Sequence, residues 1–165
     1  MKLRLINDPV LRQVCDLVLP EELDYVKSLV PEMTTILERE EGAALAANQV
    51  GITKRFFLMK EGNGVRLVIN PDILSTSVDT VAEDEGCLSI PGTFANIERS
   101  KSLTMAFFDE NYQKQVISLE GMAARAVFHE IEHLDGKLYI DQLGPLRRQM
   151  TLEKHRKYIK MRSRR

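Results

Sequence analysis

The first third of the chain carries a helical pattern of apolar positions. After Leu23, apolar residues recur at intervals of three and four, the spacing that places side chains on one face of an α-helix. Pro20 and the acidic residues after it favour a helix start there. Pro31 has no amide hydrogen, so we expect it to kink or divide this helix. The apolar stripe consists of Leu23, Val26, Leu29, Val30, Met33, Ile36 and Leu37.

Between residues 55 and 119 the pattern changes to short runs rich in β-branched and aromatic residues. The runs RFFLMK, VRLVIN, SLTMAFFD and KQVISL are separated by Gly, Asn and Asp, which is typical of strands joined by turns. We expect hairpin turns at Glu61–Gly64 and at Asp109–Asn111. The preceding stretch GAALAANQVG is small and polar, which indicates a backbone that another group approaches closely.

Helical spacing returns after the strands. It predicts one helix between about Glu120 and Gly136 and a last helix from about Pro145 to about Met161. The sequence therefore predicts a single α+β domain over residues 1–165. We expect antiparallel β-strands around the central helix, an N-terminal helix, and a basic C-terminal helix in about 145–165.

Composition narrows the class of protein. The 165 residues are 44% hydrophobic and 28% charged, with a net charge of −1, which fits a globular domain and argues against specific DNA binding. The start lacks the apolar core of a signal peptide, and no run is long enough to span a membrane. We therefore expect a cytoplasmic protein in which Cys15 and Cys87 are reduced rather than joined.

The C-terminal segment is strongly basic. From Arg147 to Arg165 it has nine Lys or Arg residues and one acidic residue, Glu153. Such a segment either contacts RNA or an acidic partner, or forms a solvated helix face, and both interpretations stay open. The basic residues are Arg147, Arg148, Lys154, Arg156, Lys157, Lys160, Arg162, Arg164 and Arg165.

The candidate chemistry lies in FHEIEHLDG, which contains the spacing His-Glu-x-x-His. His129 and His133 are four residues apart, so on a helix both can reach one metal ion. Glu130 lies next to the first ligand and can accept a proton from a metal-bound water. The pattern favours metal-dependent hydrolysis, but a catalytic metal site of this kind needs a third protein ligand besides the two histidines.

The third ligand distinguishes the classes of hydrolase. Tyr139 stands where one class of metalloprotease needs a third histidine, which excludes that class. Glu153 is spaced acceptably for a second class of protease, but its basic surroundings indicate a surface carboxylate. Cys87, in EDEGCLSIPG, offers a thiolate that suits a divalent transition metal and is the preferred candidate.

Three motifs taken together resemble the peptide deformylase family, which removes the N-formyl group from nascent chains. They are GAALAANQ (Gly42–Gln49), EGCLS (Glu85–Ser89) and HEIEH (His129–His133), in the family's order. The resemblance covers nearly the whole chain, including INDPVLRQV and HLDGKLYIDQL. It implies an α+β fold with antiparallel strands around the motif helix.

The resemblance also implies roles for individual residues. Cys87, His129 and His133 would bind one divalent metal per chain, natively Fe2+, with Zn2+ or Ni2+ as substitutes. Glu130 would act as general base and then as general acid. The side-chain amide of Gln49 and the backbone N–H of Leu88 would hold the oxyanion.

The expected substrate-binding residues surround these groups, and some depart from the family pattern. Ala44 replaces a glycine of the first motif, and Asn48 stands where proline is common. Arg125 and Glu83 occupy places that line an apolar methionine pocket in the family. Arg125 is therefore expected either to pair with Glu83 or to bind a polar part of the substrate, or else to reach the pocket mouth. The predicted contacts are Gly42, Ala43, Ala44, Glu83, Glu85, Gly86, Arg99 and Arg125.

Four functions stay open at this point. The leading hypothesis is removal of formyl from the N-terminal methionine of nascent polypeptides. The second is a divergent deformylase with a non-methionyl or polar N-formyl substrate. The third is a non-catalytic protein that binds formyl-peptides or ribosomes, and the fourth is an endoprotease. The resemblance further implies a ribosome contact through the basic C-terminal helix, and no membrane partner.

Overall fold

The computed structural model describes residues 1–163, which contain three α-helices and seven β-strands. The helices are α1 (Leu23–Arg39), α2 (Gly121–Leu134) and α3 (Pro145–Arg162). The strands are β1 (Ala44–Ala46), β2 (Phe56–Glu61), β3 (Gly64–Thr76), β4 (Thr80–Gly86), β5 (Phe94–Ser100), β6 (Ser102–Phe108) and β7 (Lys114–Glu120). Short 3-10 turns cover Pro9–Arg12, Pro20–Glu22, Ala47–Val50 and Tyr139–Gln142.

The strands form two antiparallel sheets. Five strands lie in the order β1-β2-β3-β6-β7, and β4 pairs with β5 as a separate hairpin. In the larger sheet Phe57 is opposite Val68, and Met105 is opposite Ile117. The pairing of β3 with β6 shifts register twice, which is the signature of β-bulges that bend a strand.

Helix α2 lies between these two sheets, as the sequence predicted. Its apolar face, including Ala124, Val127 and Ile131, packs on side chains from the inner face of the five-stranded sheet. Helix α1 covers other apolar side chains of that sheet, among them Phe56 and Leu58. A third cluster joins the β4–β5 hairpin to the turn after α2. It contains Cys87, Ile90, Ile97, Leu138, Tyr139, Ile140 and Leu143.

Helix α1 runs through Pro31 without a break. Of the two expected effects of this proline, a kink or a division, the division does not occur. Pro31 lies on the exposed side of the helix, where the missing amide hydrogen removes one hydrogen bond. The opposite face buries Val26, Met33 and Leu37 completely. Burial of three large apolar side chains is worth several times the cost of one hydrogen bond at the solvent side.

Helix α3 confirms the predicted final helix. Its described basic residues are exposed, and so is Glu153. The helix instead buries Thr151 and His155, and the His155 Nδ1–H donates to the carbonyl of Pro91 over 3.1 Å. Arg164 and Arg165, which the sequence assigned to the basic segment, lie outside the described residues. No helix in the described part is both long and apolar enough to cross a membrane.

Candidate metal centre

Cys87, His129 and His133 meet at one buried point. One ligand atom from each lies within 4.8 Å of the others, and the Cys87 Sγ is 3.1 Å from the His133 Nε2. All three side chains are buried. One thiolate and two imidazoles form a soft, three-ligand set that fits a four-coordinate divalent transition metal with one open position.

The local fold explains why residues 46 positions apart can meet. Helix α2 places His129 and His133 one turn apart on the face turned towards the hairpin. Cys87 follows directly after β4, where a turn closes with the Ile90 N–H donating to the Cys87 carbonyl over 2.9 Å. Glu153 lies on the exposed surface of α3 and is bonded to Gln149, away from this cluster.

Glu85 holds the ring of His129. The His129 Nδ1–H donates to Glu85 Oε1 over 2.7 Å, which leaves Nε2 free to face the other two ligands. Burial alone would raise the pKa of Glu85, but hydrogen bonds from Arg99 and His129 outweigh it and lower the pKa to about 2. Glu85 is therefore a carboxylate, the form that orients and strengthens a histidine ligand.

Arg99 is an interior residue and not a surface charge. Its Nε and Nη2 donate to the two Glu85 oxygens over 2.7 and 2.6 Å, and its other bonds, both 2.9 Å, go to Glu132. Burial opposes its charge, but the two carboxylates raise its pKa above the usual value. Arg99 thus joins β5 to α2 behind the metal ligands.

Arg125 is also buried, and the predicted pair with Glu83 is present, with Nε 3.3 Å from Glu83 Oε2. Its Nη1 donates to Glu85 Oε2 over 3.1 Å and to the Ile97 carbonyl over 3.0 Å, and its Nη2 donates to the Val81 carbonyl over 3.0 Å. Four acceptors from the hairpin therefore hold this guanidinium.

Glu130 lies beside the ligands with one oxygen, Oε2, that has no hydrogen-bond partner among the described residues. Burial raises the pKa of Glu130 to about 7, although the charge of His129 and the backbone of Ala46 oppose the shift. A buried carboxyl with a free oxygen and a pKa near neutrality is suited to exchanging protons with a reacting group.

The two candidate oxyanion donors, the Gln49 side-chain amide and the Leu88 backbone N–H, lie next to Cys87. Gln49 Oε1 accepts the Ala46 N–H over 2.9 Å, so its Nε2 points to Cys87 Sγ at 3.7 Å and to Ser89 Oγ at 3.2 Å. Gly42 fits closely against Leu88, because a Cβ there would come within 2.7 Å of Leu88 Cδ1. The glycine therefore lets the first motif approach the segment that follows Cys87.

The sequence also matches known proteins over most of its length. The family profile described as polypeptide deformylase covers residues 1–149. The chain belongs to the polypeptide deformylase family. A peptide deformylase of Thermotoga sp. strain RQ2 is 40% identical over 153 residues, which cover 93% of each chain.

Solved deformylase structures have the same fold. One from Legionella pneumophila superposes with a TM-score of 0.94 at 29% identity and covers 99% of this chain and 98% of its own. One from Thermotoga maritima has a TM-score of 0.82 at 40% identity and covers 87% of this chain and 97% of its own. These matches agree with the predicted family and with a metal-dependent hydrolase.

Sequence reasoning missed three residues of this deformylase site. Glu132 occupies a variable position within HEIEH, yet its carboxylate binds Arg99. Ser89 contacts Gln49. Asn48 was noted as a departure only, yet its Nδ2 donates to the backbone carbonyl of His133. Its fully buried position could be inferred from the small residues on either side of it.

Proposed function

We propose that the protein is a metal-dependent deformylase that hydrolyses the N-formyl group of an N-terminal methionine and releases formate. The observation that carries this proposal is the meeting of Cys87, His129 and His133 beside the unpartnered Glu130 oxygen. The three ligands leave one position open for water or substrate. Family membership supports the reaction, and this geometry supports the residues proposed to perform it.

The metal would be held by Cys87, His129 and His133 and would supply a Lewis acid that acidifies water and polarises the formyl carbonyl. Glu130 takes the proton from the attacking water through its free Oε2. The same carboxyl then donates that proton to the amine as the C–N bond breaks. A pKa near neutrality allows the Glu130 carboxyl both to accept and to donate a proton.

The side-chain N–H of Gln49 and the backbone N–H of Leu88 hold the negative oxygen that forms on the formyl carbon. Gln49 is fixed for this role, because its Oε1 is bound by the Ala46 N–H. Donors that are oriented before the reaction contribute most to such catalysis. Loss of one donor typically costs about 10²–10³-fold in turnover.

The substrate chain lies between the edges of β1 and β4. Among the described strands β1 pairs only with β2, and β4 only with β5, so each has a second edge with open backbone groups. Ala44 on one side, and Glu85 and Gly86 on the other, lie at these edges and can meet an extended peptide. The predicted contact Ala43 is less open, because its carbonyl accepts the Lys60 N–H over 2.9 Å. The methyl group of Ala44 narrows this channel relative to a glycine.

Methionine at the first position is the substrate that the contacts of Arg125 favour. The Arg125 guanidinium is bonded to Glu83, Glu85 and two backbone carbonyls, which leaves it poorly placed to bind an anionic side chain of a substrate. Arg125 and Glu83 then form a fixed side of the substrate site. Arg99 supports Arg125 there, because both guanidinium groups bind Glu85.

Formate release from formyl-methionyl and formyl-glutamyl peptides tests this preference. We expect formyl-methionine to be preferred by the wild type, and Arg125→Ala to keep the direction of that preference. Faster turnover of the acidic peptide, lost in Arg125→Ala, would instead support a polar substrate.

Ferrous iron is proposed as the native metal, with zinc or nickel as substitutes. The mixed thiolate and imidazole set accepts all three. Protein purified without oxygen and reloaded with each metal in turn should release formate fastest with iron. Equal rates with all three metals, or activity with zinc alone, would contradict this assignment.

Glu130→Ala separates catalysis from simple binding of formyl-peptides. We expect formate release to fall by at least about 10²-fold, because loss of a general base costs about 10²–10⁴-fold. Bound metal, measured by elemental analysis, should stay at one per chain. If the wild type were as inactive as this variant while both held metal, a non-catalytic role would replace the proposal.

We place the reaction in the cytoplasm, where nascent chains start, with α3 as a contact to the ribosome. All seven described basic residues of α3 are exposed, and they include Arg147, Lys154 and Lys160. Binding to ribosomal RNA would fall steeply with salt. Co-sedimentation with ribosomes at rising salt checks this, and no binding at low salt would exclude the contact.

A further inference from the structure

Three buried side-chain atoms at the metal centre have no hydrogen-bond partner among the described residues. They are Glu130 Oε2, Asn48 Oδ1 and His133 Nδ1. The proposed reaction uses the Glu130 oxygen. It gives no role to the other two, although leaving a buried polar atom without a partner is costly.

The orientation of the Asn48 amide is set by its contact with α2. Its Nδ2 donates to the His133 backbone carbonyl, so Oδ1 is the atom that stays free. Exchanging the two atoms would put an oxygen against that carbonyl, which is repulsive. Asn48 is 0% exposed, and it therefore presents a fixed acceptor in the interior.

His133 presents the complementary donor. Its Nε2 lies 3.1 Å from Cys87 Sγ, so Nε2 is the nitrogen turned towards the ligand set. A histidine that binds metal through Nε2 carries its proton on Nδ1, and this N–H almost always donates to a second group. His129 has such a group in Glu85, whereas His133 shows none.

We propose that Asn48 is the positioning residue of His133: its Oδ1 accepts, through one ordered water, the Nδ1–H of the metal-bound imidazole. The two residues are already joined through the His133 carbonyl, so one amide would hold both the backbone and the ring of this ligand. The proposal rests on the proposed metal site but not on catalysis, since it concerns how the metal is held.

The two histidine ligands are then supported differently. His129 donates to a carboxylate that two arginines hold, and His133 donates through the water to a neutral amide. Second groups of this kind typically change metal affinity about 10–100-fold when they are removed. We expect a loss of that size for Asn48→Leu, which keeps the branched shape of the side chain but removes both polar atoms.

Proton NMR of the protein loaded with Co2+ tests the hydrogen bond itself. The Nδ1–H protons of cobalt-bound histidines give strongly shifted signals that disappear as they exchange with water. In the wild type we expect two slowly exchanging signals, one from each histidine. In Asn48→Leu one should exchange much faster. Asn48→Thr has a hydroxyl that can donate to the His133 carbonyl and still accept a hydrogen bond, so it should keep both signals.

Metal loss is the second readout, measured as the rate at which a chelator removes Co2+. This rate should rise about 10–100-fold in Asn48→Leu and stay near the wild type in Thr151→Val. Thr151 is the matched control, because it is a buried hydroxyl on α3 whose partner is the Arg147 carbonyl. A role for Asn48 limited to the helix end would lower apoprotein stability but leave both readouts unchanged.

Two outcomes would overturn the proposal. One is two slowly exchanging signals together with an unchanged rate of cobalt loss in Asn48→Leu. The other, decisive if Asn48→Leu does not fold, is the loss of a signal in Asn48→Thr. Failure of the proposed reaction looks different, because the wild type would then hold Co2+ with both signals and release no formate.

Discussion

At the scale of single residues, different neighbouring side chains give the two buried cysteines different chemistry. Cys87 ends beside two imidazoles, which is where a thiolate can share a metal. Cys15 packs in the apolar cluster beneath α2, and its N–H donates to the Leu134 carbonyl over 2.8 Å. Burial raises the pKa of the Cys15 thiol to about 11, although Arg55 opposes the shift. The Cys15 thiol therefore stays protonated and unreactive at neutral pH.

Reaction with a thiol reagent checks the state of Cys15. In Cys87→Ser at pH 8, the folded protein should react far more slowly than the same protein unfolded in guanidinium. Because the folded pKa lies above the unfolded value of 9.0, the protonated thiol favours folding below pH 9, and this contribution is lost as pH rises towards 11. Rapid, complete labelling of the folded variant at pH 8 would contradict the assignment.

Sequence reasoning reached some residues of the site and not others for a physical reason. His129 and His133 are visible because a helix turns a spacing of four into one face. The bonds of Glu85 to Arg99 and Arg125 join positions 14 and 40 residues apart, and only the packed fold brings them together. Asn48 is similar, since its partner His133 is 85 positions away.

At the scale of elements, the strands that were predicted and the strands that were missed differ in how they are buried. β2 and β6 lie in the apolar core and carry the expected runs of apolar residues, including two phenylalanines each. β4, with the sequence TVAEDEG, buries only Glu85 and shows no apolar alternation. Its pairing with β5 and its contacts to two arginines hold it in place, and neither leaves a local signal.

The docking of α3 gives a prediction at this scale. Gly92 has a φ of +78°, and a Cβ there would meet the Tyr158 ring at 2.3 Å. Gly92→Ala should therefore lower the free energy of unfolding by about 1–3 kcal/mol through backbone strain and a displaced helix. Chemical denaturation measures this, and Gly64→Ala, at a position with open space around it, is the control. Equal stability of the two variants would show that α3 does not pack on Gly92.

At the scale of the whole molecule, three sets of contacts meet at α2. The five-stranded sheet packs on its apolar face, the hairpin is bound to it through charged side chains, and the metal ligands lie between the two. Apolar burial holds α2 to the five-stranded sheet, and paired charges hold it to the hairpin. A bound metal would add bonds across the same boundary.

Metal removal should therefore lower the stability of the whole protein. A metal that binds only the folded state contributes about 2.7 kcal/mol at a free concentration 100 times its Kd. We expect the melting temperature to rise on adding Zn2+ to the metal-free protein, and most of this rise to vanish in Cys87→Ala. An equal rise in both proteins would show that zinc stabilises the fold from another site.

The separate pairing of β4 with β5 has a consequence for the order in which the chain unfolds. No described backbone hydrogen bond of a sheet ladder ties this hairpin to the other five strands. Its amide hydrogens should therefore exchange with deuterated water sooner than those of β3 and β6, because the hairpin can open as a unit. Metal binding would join Cys87, at the end of the hairpin, to the two histidines of α2. It should therefore slow amide hydrogen exchange in β4 and β5 more than anywhere in the larger sheet.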